Sequence, residues 1–360
     1  MATFSPEKSS DVLSYFTSNA IVQRLSDAFT SFQERREALG LSNPGTVDNI
    51  SREVDRDVFL NNQAFSGLRA EIAKSFSMSP MFQVSHSLSM GSQTLSPYNF
   101  AAMYGSPRVF CQGSIDNDFA LSGRFNWRWA SGLVTKTSAQ IAPGQQSMFS
   151  IEQDYQGADF TASAKAMNPS ILEGGVTGIF VGDYLQSITP RLALGLNAVW
   201  QRAAMNQGPE TMISYVGRYK GDDWIGTAQL ATLGSLRLSY WRRLAEKVEA
   251  GVALDLAAAP GMALGPGMMT PPRREGTATI GAKYDFRASS FRAQVDSQGK
   301  VSCLLDKRIA PAVQVTFSGE IDHVKSTSKL GLAVQIENAP EELIEQQERG
   351  IGSNEPAPPF

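Results

Sequence analysis

The sequence predicts an all-β membrane protein, a closed transmembrane barrel, and three observations carry that prediction. From about Gly67 to Glu337 the apolar residues recur at every second place, in roughly nineteen runs separated by turn residues. No linker and no repeated blade motif interrupts these runs, so neither a two-domain sandwich nor a propeller fits them. Aromatic side chains gather near the run ends, as Tyr104, Trp129, Tyr155, Trp200, Tyr219, Trp224 and Tyr240. That is where a membrane barrel places its interfacial girdles.

The first 66 residues form a separate, helical segment. "NAIVQRLSDAFTSFQERREALGL" sets Ile21, Leu25, Ala28, Phe29 and Phe32 on one stripe. "LSNPGT" breaks it. "TVDNISREVDRDVF" then spaces Val47, Ile50, Val54 and Val58 by three, four and four residues. This predicts a short amphipathic helix over 47–58, with Thr46 as its N-cap.

The barrel wall follows over 67–337. "FALSGRFNWRW" alternates Phe119, Leu121, Gly123, Phe125, Trp127 and Trp129 with Ala120, Ser122, Arg124, Asn126 and Arg128. "RLALGLNAVWQ" and "TATIGAKYDF" repeat the pattern. A barrel of this size has a lumen too wide for side chains to fill, so its inner face meets water and its oily face meets lipid. The polar face carries Arg124, Asn126, Arg128, Lys136, Glu152, Asp154, Lys165, Arg191, Glu249, Asp255, Lys283, Asp285, Arg292 and Asp296. These charges of both signs are the expected pore lining; in a soluble protein the same face would be solvated. The stretch 257–275, rich in Gly, Pro and Met, reads as a flexible loop. The tail 338–360 carries five glutamates and one arginine without an apolar period, and reads as disordered.

Composition narrows the function. Charged residues make up 19% and the net charge is −3, so no general attraction to nucleic acid is expected. Cys111 and Cys303 are too distant for a zinc knuckle and read as two small buried thiols. With only His86 and His323 present, a histidine-rich metal centre cannot be built, and His86 falls on a strand. No cofactor is expected. No nucleotide loop, zinc spacing or nucleophile motif supports an enzyme. No run of about 18 apolar residues offers a transmembrane helix. The opening "MATFSPEKSSDVLSYF" has no basic stretch leading into an apolar core, which argues against an exported bacterial barrel.

"NPGTVDNISREVDRDVFLNNQAFSGLRAEIAKSFSMSPMFQVSHSLSMGS", followed by "SPYNFAAMYG", resembles the pore-forming subunit of the mitochondrial outer-membrane protein translocase, in its fungal form. The likeness runs from about residue 43 to 337. It implies a nineteen-stranded barrel with the 47–58 helix inside the lumen, and a general import pore for unfolded precursors carrying presequences. It implies work in a complex with a central single-helix receptor, small single-helix subunits, outer receptors, further copies of the barrel and phospholipid. It also implies that Lys329, Gly331, Val334 and Ile336 in "KLGLAVQIE" form the family's sorting signal. Acidic lumenal residues would meet the basic face of a presequence: Glu152, Asp154, Glu249, Asp255, Asp285 and Asp296. The alternative is a metabolite porin of the voltage-dependent anion channel type, which would favour a basic lumen.

Overall fold

The computed structural model describes residues 40–338, except 62, 79, 93–94, 145, 173–174, 204–207, 233, 260–262, 266–267, 270–272 and 311. The stripe expected over Ile21–Phe32 and nearly all of the tail expected from 338 onward lie outside these residues.

The alternating runs become strands. In chain order they are β1 Gly67–Met78, β2 Met81–Met90, β3 Tyr98–Gly105, β4 Val109–Asp116, β5 Leu121–Ala130, β6 Leu133–Ile141 and β7 Met148–Gln156. Then come β8 Phe160–Leu172, β9 Gly175–Ser187, β10 Leu192–Arg202, β11 Glu210–Lys220, β12 Trp224–Ala231, β13 Leu236–Ala245 and β14 Val248–Ala259. A small ribbon, β15 Ala263–Gly265 with β16 Met268–Met269, stands apart. The last described strands are β17 Arg273–Asp285, β18 Ser289–Asp296, β19 Lys300–Ala310, β20 Val313–Asp322 and β21 Thr327–Asn338. The stretch read from sequence as a loop is therefore shortened at both ends by β14 and β17.

All strands except the ribbon join one 19-stranded sheet. Neighbours pair antiparallel through hairpins, and the sheet closes by pairing β1 with β21 in parallel, Gly67 opposite Gly331 and Lys74 opposite Asn338. An odd number of alternating strands leaves the first and last pointing the same way, which forces the parallel seam. Closure removes every sheet edge, the condition for a strand assembly to sit in lipid.

The face of each strand follows from its pleat. Leu330, Leu332, Val334 and Ile336 point outward, and Lys329, Gly331, Ala333 and Gln335 point inward, where Gly331 meets the lumenal residue Phe65. Large apolar side chains stay solvent-exposed across the outer face, Ile280 at 60% and Leu330 at 78% among them. Bare apolar surface of this extent has its natural solvent in hydrocarbon.

Two rims bound the barrel. One is the tail-side rim, where β21 ends. The other is the loop-side rim, where β21 begins and the β14–β17 connection lies. Of the aromatics expected in girdles, Tyr104, Trp129, Tyr155, Tyr219 and Trp224 stand at tail-side strand ends, and only Trp200 near a loop-side one. Tyr219 and Trp224 stack at 5.1 Å, and Trp224 contacts Tyr240 at 5.8 Å, which continues that band. Tyr284 and Phe286 extend it, with centroids 4.4 Å apart.

Both cysteines correct the reading from sequence. Cys111 is half-buried and Cys303 is exposed, and both sit on outward pleats. They are lipid-face residues, because a barrel of this width keeps its apolar surface outside. His86 is also outward and shares a 2.8 Å hydrogen bond with the Tyr98 hydroxyl.

Candidate functional site: the lumen and the segment that crosses it

The chain enters the lumen at the tail-side rim. There the Asn43 side chain clips the β7–β8 turn: its amide donates to the carbonyls of Gly157 (2.8 Å) and Phe160 (3.2 Å). Its carbonyl oxygen accepts from Thr161 Oγ1 (3.0 Å) and from the Gly45 N–H (2.8 Å). Residue 43 and residue 338 thus lie at the same rim.

From this clip the chain runs along the inner wall. The helix expected over 47–58 is two short turns, a 3-10 turn Val47–Asn49 and a π-helical turn Glu53–Val58. The widened turn closes on a Phe59 N–H to Val54 carbonyl bond of 2.8 Å. Thr46 makes no side-chain cap bond. The break divides the apolar stripe between two parts of a curved wall. Val47 and Ile50 pack with Leu185, Ala193 and Val216, whereas Val54, Val58 and Phe59 pack with Ile225, Trp241 and Ala253. All four valine and isoleucine positions expected from spacing are buried. Burial of Val54, Val58, Phe59 and Leu60 contributes roughly 1.5–3 kcal/mol each.

Two acidic residues on the same segment reach the wall. Glu53 lies 2.6 Å from the Arg218 guanidinium. Asp55 lies 2.6 Å from that of Arg237 and also accepts from Ser51 Oγ at 2.6 Å. Glycines on the lumenal pleat make room. A Cβ at Gly281 would stand 2.8 Å from Phe59 Cδ1, and one at Gly251 would stand 3.3 Å from Val54 Cγ1. Sequence reading missed these seats. Their only signal is a glycine interrupting the polar face of a strand, and that signal does not name the occupant.

The wall of β4–β8 carries polar side chains matched across strands. Ser114 pairs with Ser122 and Ser138 with Ser150, each at 2.6 Å. Lys136 lies 2.9 Å from Glu152 and 2.6 Å from Asp154, and Lys165 lies 3.8 Å from Glu152. These four expected lining residues form one compensated cluster. Asp183 was not singled out from sequence, yet it accepts from Asn197 (2.5 Å) and Ser163 (3.2 Å) on the lumenal side. Arg124 lies over the Phe110 ring at 5.9 Å, and Arg128 donates to the Pro107 carbonyl at 2.9 Å.

The remaining expected residues are spread out. Asp255 is 3.5 Å from Arg237 Nε, and Asp285 is 2.9 Å from Lys283. Glu249 stands opposite Arg243 and Lys283 in register on the lumenal pleat. Arg292 hydrogen-bonds Gln63 of the crossing segment. Two residues fall away from the wall proper. Arg191 precedes β10 on a rim turn and pairs with exposed Asp222 at 2.9 Å. Asp296 ends β18 and accepts the Gln298 N–H at 3.1 Å. Among the described residues no group of three His, Cys, Asp or Glu side chains could hold a metal ion.

The lumen is therefore a polar passage with locally neutralised charge, narrowed on one side by a fixed strand of chain. Comparison with known proteins places it. The eukaryotic porin family model matches residues 43–331, from the Asn43 clip to the seam glycine. Over 357 residues the chain is 53% identical to the mitochondrial import receptor subunit tom40 of Neurospora crassa, covering 99% of this chain and 100% of that protein. It is 43% identical over 347 residues to the subunit TOM40 of Saccharomyces cerevisiae, covering 94% and 90% of the two chains. The TOM40 homolog of Xenopus laevis is 27% identical over 307 residues, covering 82% and 84%. With a family model matched along most of its length and a full-length relative alike at over half the aligned positions, the chain belongs to the eukaryotic porin family, in the group of the fungal Tom40 proteins.

Proposed function

We propose that this chain is the protein-conducting pore that imports unfolded precursors across the mitochondrial outer membrane. The observation that carries the reading is the 53% identity, end to end, with a protein named as a mitochondrial import receptor subunit. The lumen supports it chemically. Its hydroxyl pairs and compensated ion pairs offer many weak contacts and few strong ones, which suits a chain that must pass without sticking. The relatives' name as a receptor subunit supports membership of a translocase complex. Within it, the central single-helix receptor, the small single-helix subunits, further barrel copies and phospholipid meet the outer face, and the outer receptors hand on the precursor.

Acidic lumenal residues attract the basic face of a presequence. Glu249, Asp255 and Asp285 face the lumen, and Asp296 marks the loop-side rim; Glu152 and Asp154 contribute only as Lys136 and Lys165 exchange partners. In the sorting signal, Val334 and Ile336 present the lipid face and Lys329 and Gly331 the lumenal face of β21.

Planar-bilayer conductance with added presequence peptide tests the channel reading. A cation-preferring pore, blocked by the peptide, is the expected result. An anion-selective pore indifferent to the peptide would overturn it in favour of a metabolite porin.

A further inference from the structure

The seam between β1 and β21 has a register problem. No hairpin joins these strands, so no turn length sets their alignment. Their outer residues alternate regularly, Leu68, Ala70 and Ile72 against Leu332, Val334 and Ile336. A slip of one residue would turn every side chain to the wrong face. A slip of two would preserve both faces, and the hydrophobic pattern does not oppose it.

The crossing segment supplies the missing mark. From Phe59 to Phe65 its described residues contact successive strands in turn, running across them rather than along them. Phe59 packs over Gly281 of β17. The Leu60 N–H donates to Gln294 Oε1 of β18 at 2.6 Å, and Gln294 Nε2 donates to Asn61 at 2.9 Å. The Phe65 N–H reaches Ser318 Oγ of β20 at 3.3 Å. Phe65 then covers Gly331 of β21. A Cβ there would collide with the Phe65 carbonyl oxygen and stand 2.8 Å from its ring. Two residues later the chain turns at Gly67, φ +87°, and becomes β1.

We propose that Phe59, Leu60, Asn61 and Phe65 form a register strap for barrel closure, and that Gly331 is its seat. Phe65 is tied to β1 by one residue, so it moves with that strand. After a two-residue slip it would face Lys329 or Ala333, and the Cβ of either would meet the Phe65 carbonyl. Gly331 is the only glycine in β21, so only one register admits the strap. Gln294 and Ser318 hold the strap over the preceding strands while the seam zips.

Full-length chain with Cys111→Ser and Cys303→Ser, inserted into mitochondria, provides the test. Leu68→Cys with Leu332→Cys reports the native register through a short thiol cross-linker. Leu68→Cys with Leu330→Cys reports the slipped one. Resistance to carbonate extraction reports insertion separately. Gln294→Leu and Ser318→Ala, which release the Leu60 and Phe65 N–H groups of the strap, should insert at the parent level, lose native cross-linking several-fold and gain the slipped product. Gly331 also belongs to the sorting signal, so for Gly331→Ala the same loss is expected in the fraction of chain that inserts. Native cross-linking at the parent level in both strap variants would overturn the proposal. So would a Gly331→Ala chain that inserts and cross-links normally. Should Gly331→Ala fail to insert at all, the two strap variants decide alone.

Discussion

The guanidinium of Arg237 on β13 holds Asp55 of the crossing segment at 2.6 Å and, through Nε, lies 3.5 Å from Asp255 on β14. One wall arginine thereby serves a neighbouring strand and the lumenal segment together. With Arg218 and Glu53 it gives the segment two charged fastenings in addition to its apolar stripe.

Arg237→Ala should loosen the segment without releasing it. The pair is partly exposed, so its loss costs about 0.5–1 kcal/mol, less than the apolar contacts contribute. Arg218→Ala with Arg237→Ala should free it measurably. A cysteine at position 54, buried in the parent, reports this through its labelling by a water-soluble maleimide. Faster labelling in the double variant than in either single one is the expected result.

Gly281→Val fills the space Phe59 occupies. Overpacking of this kind costs about 1–3 kcal/mol and should lower the midpoint of the heat-induced mobility shift in detergent. Gly123→Val, on the outward pleat where nothing lies within 4 Å of the Cβ position, is the uncrowded comparison and should leave the midpoint unchanged.

Lys136→Met removes the shared partner of Glu152 and Asp154. The lumen then holds a net acidic spot in place of a compensated one. An additional attraction of about 1 kcal/mol for a passing cationic group, the Coulomb energy of one unit pair at contact in water, lengthens its dwell about fivefold. Single-channel block by a presequence peptide should show the longer dwell, with a reversal potential shifted toward cation selectivity.

Asn43→Asp separates the two halves of the clip. The carboxylate keeps acceptors for Thr161 and Gly45, but loses both donations to the β7–β8 turn and faces two carbonyls instead. It should therefore open the tail-side end of the segment to protease more than Asn43→Ser does. Limited proteolysis of the inserted protein reads the difference.

The wall was legible in the sequence because a period of two needs no partner to be recognised. Leu330, Leu332, Val334 and Ile336 announce their face by spacing alone. The start of β1 was legible for the same reason, and the four apolar positions of the crossing segment by their helical spacing of three, four and four. What spacing cannot express is encounter. Glu152 meets Lys136 sixteen residues away, and Asp55 meets Arg237 182 residues away. The π turn at Glu53–Val58 is illegible for a related reason. The wall curves, so one straight helix could not press Val47 and Val58 onto it together. The glycine at 331 on the polar face of its strand has its reason in Phe65, which is 266 residues earlier in the chain.

The uneven aromatic band fixes how this barrel responds to its bilayer. Indole and phenol rings hold their depth at the headgroup boundary, and here most of them hold the tail-side rim. When the surrounding lipid thickens or thins, that rim keeps its level and the loop-side rim takes up the difference. Mismatch is thereby absorbed at the mouth farthest from the Asn43 clip, and the anchored end of the lumenal segment keeps a constant height against the membrane surface.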